Sequence, residues 1–136
     1  MKFIVAILIL VEISLIQGNE IEDTMRAELD NYHKECMAVS KVDPQVLKEA
    51  RAGNVDVNNA ALVEHVYCIA KKLNVLKDDK FQLDAVKQHF ERQNRGDVFK
   101  EIYEKCKSIK KDDIKSYTIK HLKCSYQHAP KDAILI

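Results

Sequence analysis

Asp43-Pro44-Gln45-Val46-Leu47-Lys48-Glu49-Ala50-Arg51-Ala52-Gly53 is the stretch on which the reading of the fold turns. Asp is a favoured helix N-cap, because its carboxylate accepts a hydrogen bond from a backbone N–H that the helix leaves unpaired. Pro suits the first helical position, where its missing N–H costs nothing. Gly then relieves the left-handed strain at a helix end. One short run therefore carries both a start and a stop signal, and the same punctuation recurs on either side. Upstream, Ile21, Met25, Leu29, Tyr32 and Cys36 keep a three-to-four-residue period through Glu20 to Val39. Downstream, Asn58 or Asn59 caps a third helix with the face Leu62, Val66, Ile69, Ala70 and Leu73. A break from Asn74 to Lys80 precedes a fourth, with Leu83, Val86 and Phe90. Gly96-Asp97 restarts the chain for a fifth stripe of Val98, Phe99, Ile102, Tyr103, Cys106 and Ile109. Asp112 or Asp113 opens a sixth, with Ile114, Tyr117, Leu122 and Tyr126, which His128-Ala129-Pro130 ends. The spacing predicts six short helices, no strands and one compact all-α domain.

Composition agrees. The 136 residues hold 22 Lys and Arg against 21 Asp and Glu, and a net charge of +1 disfavours a polyanion binder. Apolar residues at 46% are enough for a core. With 3 Gly and 2 Pro, the chain lacks the turns of a many-stranded sandwich. The absence of Trp disfavours base-stacking modules.

The first eighteen residues read as a secretory signal peptide. Lys2, the apolar run Phe3 to Val11 and the small Gly18 supply the charged start, short apolar core and small residue such a signal needs. Nine apolar residues are too few to span a bilayer, which takes about 20. The expected organisation is a signal at 1–18 and a single domain at 19–136 of a secreted, extracellular protein.

Secretion changes how Cys36, Cys68, Cys106 and Cys124 are read. An even count in an oxidising compartment predicts two disulfides, with three pairings open. The competing chemistry is zinc, since His33, His65 and His121 each precede a cysteine by three residues and would share a helix face with it. Zinc sites normally cluster Cys with Cys at two-to-four-residue spacing, and none is found here. Disulfides are expected, with no metal and no cofactor.

The apolar terminus Ala133-Ile134-Leu135-Ile136 is expected to fold back on the body, as core filler or as a lid. Six acids between Glu20 and Glu35, and seven lysines between Lys105 and Lys123, read as solvated faces of the first and last helices.

Two segments carry a resemblance. Val42-Asp43-Pro44 through Ala52-Gly53-Asn54, and Tyr67-Cys68-Ile69-Ala70-Lys71-Lys72-Leu73-Asn74-Val75-Leu76, resemble the second helix and third-cysteine motif of the insect odorant-binding-protein (PBP/GOBP) family. That family's full pattern has six cysteines. Cys36, Cys68, Cys106 and Cys124 match the first, third, fourth and sixth, while Glu64 and Lys115 stand where the second and fifth would be. Loss of both partners of one bridge resembles the four-cysteine Minus-C subgroup. The resemblance implies the pairings Cys36–Cys68 and Cys106–Cys124, and opposite charges at the missing pair that would attract each other.

It also implies carriage of a small hydrophobic molecule, such as an odorant, pheromone or other lipophile, in a cavity between helices. The apolar helix phases nominate Val66, Leu73, Val86, Phe90, Phe99, Ile102, Tyr103, Tyr117, Ile119 and Leu122 as its wall, with Tyr103 and Tyr117 offering hydroxyls. No catalytic motif is present: there is no G-x-S-x-G elbow, H-E-x-x-H pair or phosphate loop. The alternative is a secreted helical interaction protein, hormone-, venom- or seminal-type, without a small-molecule ligand. Neither reading involves nucleic acid or stable membrane insertion, and both leave a receptor or a weak homodimer open.

Overall fold

Asp43, Asn59 and Asp113 each cap a helix as their side chains dictate. Their oxygens accept from the backbone N–H of Gln45 (2.7 Å), Leu62 (3.0 Å) and Ser116 (2.9 Å). These caps fix the starts of α2 (Pro44–Arg51), α3 (Ala60–Lys72) and α6 (Ile114–His128) in a computed structural model that describes residues 2–133, with side chains from residue 20 onward. The remaining helices are α1 (Lys2–Ser40), α4 (Leu83–Arg92) and α5 (Gly96–Cys106). Gly53 takes φ +98° after α2, and the Asn54 N–H reaches back to Glu49 O at 2.9 Å. Lys41, Asn74 and Asn94 also adopt left-handed φ values at helix ends, between 53° and 58°.

The six helices match the expected all-α class, and one detail departs from it. The break after α3 holds a small antiparallel hairpin, β1 (Leu76–Lys77) and β2 (Lys80–Phe81), paired Leu76 to Phe81 and Lys77 to Lys80. Asp78 and Asp79 both have positive φ, 52° and 54°, the backbone of a two-residue primed turn. Asp tolerates that conformation through its short polar side chain. Asp-Asp is a far weaker hairpin signal than Asn-Gly or Asp-Gly, and strands of two residues have no periodicity to read.

Helix α3 lies at the centre, packed on α1 and α6. Cys36 and Cys68 form one disulfide across the α1–α3 seam, and Cys106–Cys124 joins α5 to α6. Among the described residues there is no free cysteine, no metal-competent cluster and no helix long and apolar enough to cross a membrane. Loops of 32 and 18 residues contribute roughly 3 to 4 kcal/mol each in the chain-entropy account. The histidines three residues before Cys36 and Cys68 meet across the same seam. His33 and His65 are buried, their rings stacked at 5.0 Å with His33 Nδ1 and His65 Nε2 at 2.8 Å. Ser40 Oγ lies 3.2 Å from His65 Nδ1, and Lys72 pairs with Glu35 outside the seam. Two of the three His-x-x-Cys spacings are thus the trace of two helices joined at equivalent positions, while the third, His121 and Cys124, lies on α6 with its cysteine bonded to α5.

One apolar cluster joins α2, α3 and α6 through Val42, Leu47, Ala50, Val55, Leu62, Val66 and Ile119. A second sits between α4 and α5, on Phe90, Val98, Ile102 and Cys106. Ala133 packs against this second cluster, so the chain does turn back beyond Pro130. The expected return of Ile134-Leu135-Ile136 and the signal peptide at 1–18 both lie outside the residues whose side chains are described. Where the family's remaining bridge would tie α3 to α6, Lys115 Nζ donates to Glu64 Oε1 at 2.5 Å. The same ammonium stands 4.9 Å above the Tyr67 ring, whose hydroxyl donates to Asp79 in the hairpin turn at 2.6 Å.

Two predictions follow from this frame. Glu64→Cys with Lys115→Cys should oxidise to a third disulfide, seen as a loss of two hydrogens by intact mass. Closing a 51-residue loop should add up to about 4 kcal/mol of stability. Two persistent free thiols under oxidising conditions would contradict the Glu64–Lys115 geometry. The second concerns acid. Burial, then the nearby Arg51 charge, then His65 lower His33 to about 3; burial and then Arg51 lower His65 as well. In α6, burial and then Lys111 lower His121 to about 4. An unfolded histidine titrates near 6.5, so between pH about 6.5 and 4 the unfolded chain binds more protons than the folded one. Stability is therefore full above about pH 6.5 and is lost as pH falls. Exposed carboxylates that are lowered in the fold, such as Glu35 and Asp132, act only below about 4.5. The urea midpoint should drop between pH 7 and 5, and the ring resonances of His33 and His121 should stay neutral throughout that range. A ring titrating near 6.5 would refute this.

Candidate functional site

Helices α3, α4 and α6 diverge under the hairpin and leave a cavity of about 80 Å³. A single water needs only about 10–15 Å³ on this measure, so the space fits a small organic body. Val66, Ile69 and Ala70 of α3 form one wall, continued by Leu73 and Val75 where the helix ends. Val86, His89 and Phe90 of α4 face them, and Phe81 on β2 closes one side. Helix α6 contributes Thr118, His121, Leu122 and Ser125, which fall at three-to-four-residue steps and so share a face.

Polar groups in this wall are already partly engaged. Thr118 Oγ1 donates to Ile114 O at 2.7 Å, and Ser125 Oγ donates to His121 O at 2.8 Å. Ser125 Oγ also lies 3.4 Å from His121 Nδ1. The His121 ring tilts against Phe81 at 4.8 Å. Held neutral by burial and by Lys111, it can accept or donate one hydrogen bond at neutral pH. The arrangement can therefore enclose an apolar body and meet one polar atom.

Of the ten residues nominated from helix phase, Val66, Leu73, Val86, Phe90 and Leu122 line this cavity. The other five lie elsewhere. Ile102 and Ile119 are fully buried core residues in the two apolar clusters. Phe99 packs against the α4–α5 cluster and stacks on Tyr103, which is exposed at 39%. Tyr117 sits edge-on to Phe81 beside a shallow outer groove with Lys80 and Lys111. On α6 the sequence reading nominates Tyr117, Ile119 and Leu122, and the residues of that helix that line this cavity are Thr118, His121, Leu122 and Ser125. That face contains three polar residues, so an apolar-periodicity reading passes over it. Phe81 escapes the sequence reading along with the hairpin, and Ala70 enters that reading only as part of the apolar face of the third helix.

Comparison with known proteins agrees with this architecture. The sequence model of the PBP/GOBP family matches residues 18–128. Among solved structures, the Apis mellifera odorant binding protein 5 superposes with a TM-score of 0.74 at 20% identity, covering 84% of this chain and 96% of that one. At that identity the likeness is one of fold. No curated protein sequence is significantly similar to the chain. Most of the chain falls within the matched span, and both disulfides pair as a four-cysteine form requires. The chain belongs to the PBP/GOBP family.

Proposed function

We propose that this protein is a secreted, non-enzymatic carrier, released after removal of residues 1–18, which holds a small hydrophobic molecule between α3, α4 and α6. The observation that carries the reading is the concave apolar wall of Val66, Leu73, Val86, Phe90 and Leu122, with His121 among the residues that line it. Family membership supports it. Binding is driven by transfer of apolar surface from water, at about 25 cal/mol per Å². Roughly 300 Å² would supply about −8 kcal/mol, a micromolar dissociation constant, before the costs of ordering. The modest cavity favours compact ligands of about ten carbons or fewer, and His121 favours one polar atom such as an alcohol or carbonyl oxygen.

A fluorescent probe that brightens in apolar surroundings should bind with roughly micromolar affinity and be displaced by a ten-carbon terpenoid alcohol. Ala70→Leu, which fills the cavity with three extra carbons, should weaken binding at least about tenfold, a loss of about 1.4 kcal/mol. Lys110→Asp on the exposed α5–α6 connection should leave it unchanged. Equal effects of the two substitutions would place the ligand elsewhere. Absence of any saturable binding would favour the ligand-free interaction protein instead.

A further inference from the structure

The chain contains 18 lysines and only four arginines, Arg26, Arg51, Arg92 and Arg95. The lysines are spread over the surface, but all four arginines border two adjoining depressions at one end of the molecule. Arg26 on α1 and Asp132 beyond α6 line both depressions. Arg92 and Arg95, at the end of α4 and the turn after it, line the smaller one. Arg51, the last residue of α2, lines a groove of about 560 Å³ with Tyr126, Pro130 and Lys131. The middle of α1, the ends of α2 and α4 and the start of α5, distant in sequence, thus deliver the same side chain to adjoining places.

Their pairing leaves an imbalance. Glu22 holds Arg26 at 2.8 Å, Glu28 holds Arg92 at 3.6 Å, and Asp132 holds Arg95. The Arg51 side chain has no ion pair or hydrogen bond among the described residues, and its charge reaches His33 and His65 strongly enough to help lower both. Among the described residues, the linings of the two depressions carry Arg26, Arg51, Arg92, Arg95 and Lys131 against the carboxylates Glu22 and Asp132. Ala52, Gly53, Ala129, Pro130 and Ala133 give the larger groove an uncharged floor. Guanidinium groups, unlike ammonium groups, present a planar fork that matches an oxyanion with two hydrogen bonds. We propose that this groove is a second ligand site, separate from the apolar cavity, which binds a small oxyanion of the carboxylate or phosphate class with Arg51 as its principal donor.

The oxyanion has two sources, an amphiphile's headgroup or a free anion, and two probes separate them. Hexanoate and inorganic phosphate should be titrated into the oxidised protein at low salt by calorimetry, while the Arg51 Nε–Hε resonance is followed by NMR. Saturable binding of either probe with movement of that resonance is expected. Preference for hexanoate would assign an amphiphile, and preference for phosphate a free anion. Arg51→Gln should weaken binding at least about tenfold, Arg51→Lys should recover part of it, and Lys110→Gln should have no effect. Failure of both probes to saturate by about 10 mM, ten times a weak millimolar dissociation constant, would overturn the proposal. So would equal weakening by Arg51→Gln and Lys110→Gln, since that pattern is general charge attraction.

Discussion

Helix α3 can shape a cavity only because the α1–α3 seam fixes it from behind. The Cys36–Cys68 bridge and the His33–His65 bond at 2.8 Å lie on one side of α3, and Val66, Ile69 and Ala70 face the cavity from another. A disulfide limits the separation of two helices but leaves their rotation free. The buried imidazole pair restrains that rotation, because a nitrogen-to-nitrogen hydrogen bond in a dry seam tolerates little misalignment. The cost of burying two imidazoles falls on their charged forms, which is why both are held neutral. His33 Nε2 is buried with no hydrogen-bond partner among the described residues, so the seam is specific without every polar atom being paired there.

On its other side α3 meets α6 through a contact of a different kind. A bridge at Glu64 and Lys115 would be covalent; here an exposed ion pair spans the same gap. Salt and solvent screen such a pair, and long side chains give it many nearby geometries. The Tyr67–Asp79 hydrogen bond and the lysine over the Tyr67 ring tie the hairpin to the same locus. The cavity is therefore bounded by one rigid seam and one adjustable joint. In the proposed carrier this asymmetry lets α6 and the hairpin yield to ligand shape while α3 keeps its position. Helix packing resists small volume changes in the interior, so compliance has to come from such a joint.

Much of this fold is legible in the sequence, and for identifiable reasons. The caps Asp43, Asn59 and Asp113 act over two or three residues, and local chemistry of that range is written directly in the sequence. Cysteine spacing carried the family resemblance, and with it the pairing that arithmetic left open. What escaped was tertiary. The phase of α6 toward the cavity includes Thr118, His121 and Ser125, polar residues that an apolar period does not select and that are buried in the fold. Tyr103 reads as wall by period but is exposed, because α5 packs on α4 through Val98, Ile102 and Cys106. The hairpin escaped because a two-residue ladder has no pattern. The arginine convergence escaped because it exists only once the ends of α2 and α4 lie beside α1.

The central claim is that an apolar ligand sits between α3, α4 and α6. The direct measurement is intermolecular NOE spectroscopy on methyl-labelled protein with a bound ten-carbon terpenoid alcohol. The account predicts NOEs from the ligand to the methyl groups of Val66, Leu73, Val86 and Leu122, with none to Ile21 or Val39, which are exposed on α1. Saturable binding with NOEs confined to Ile21 and Val39 would contradict it.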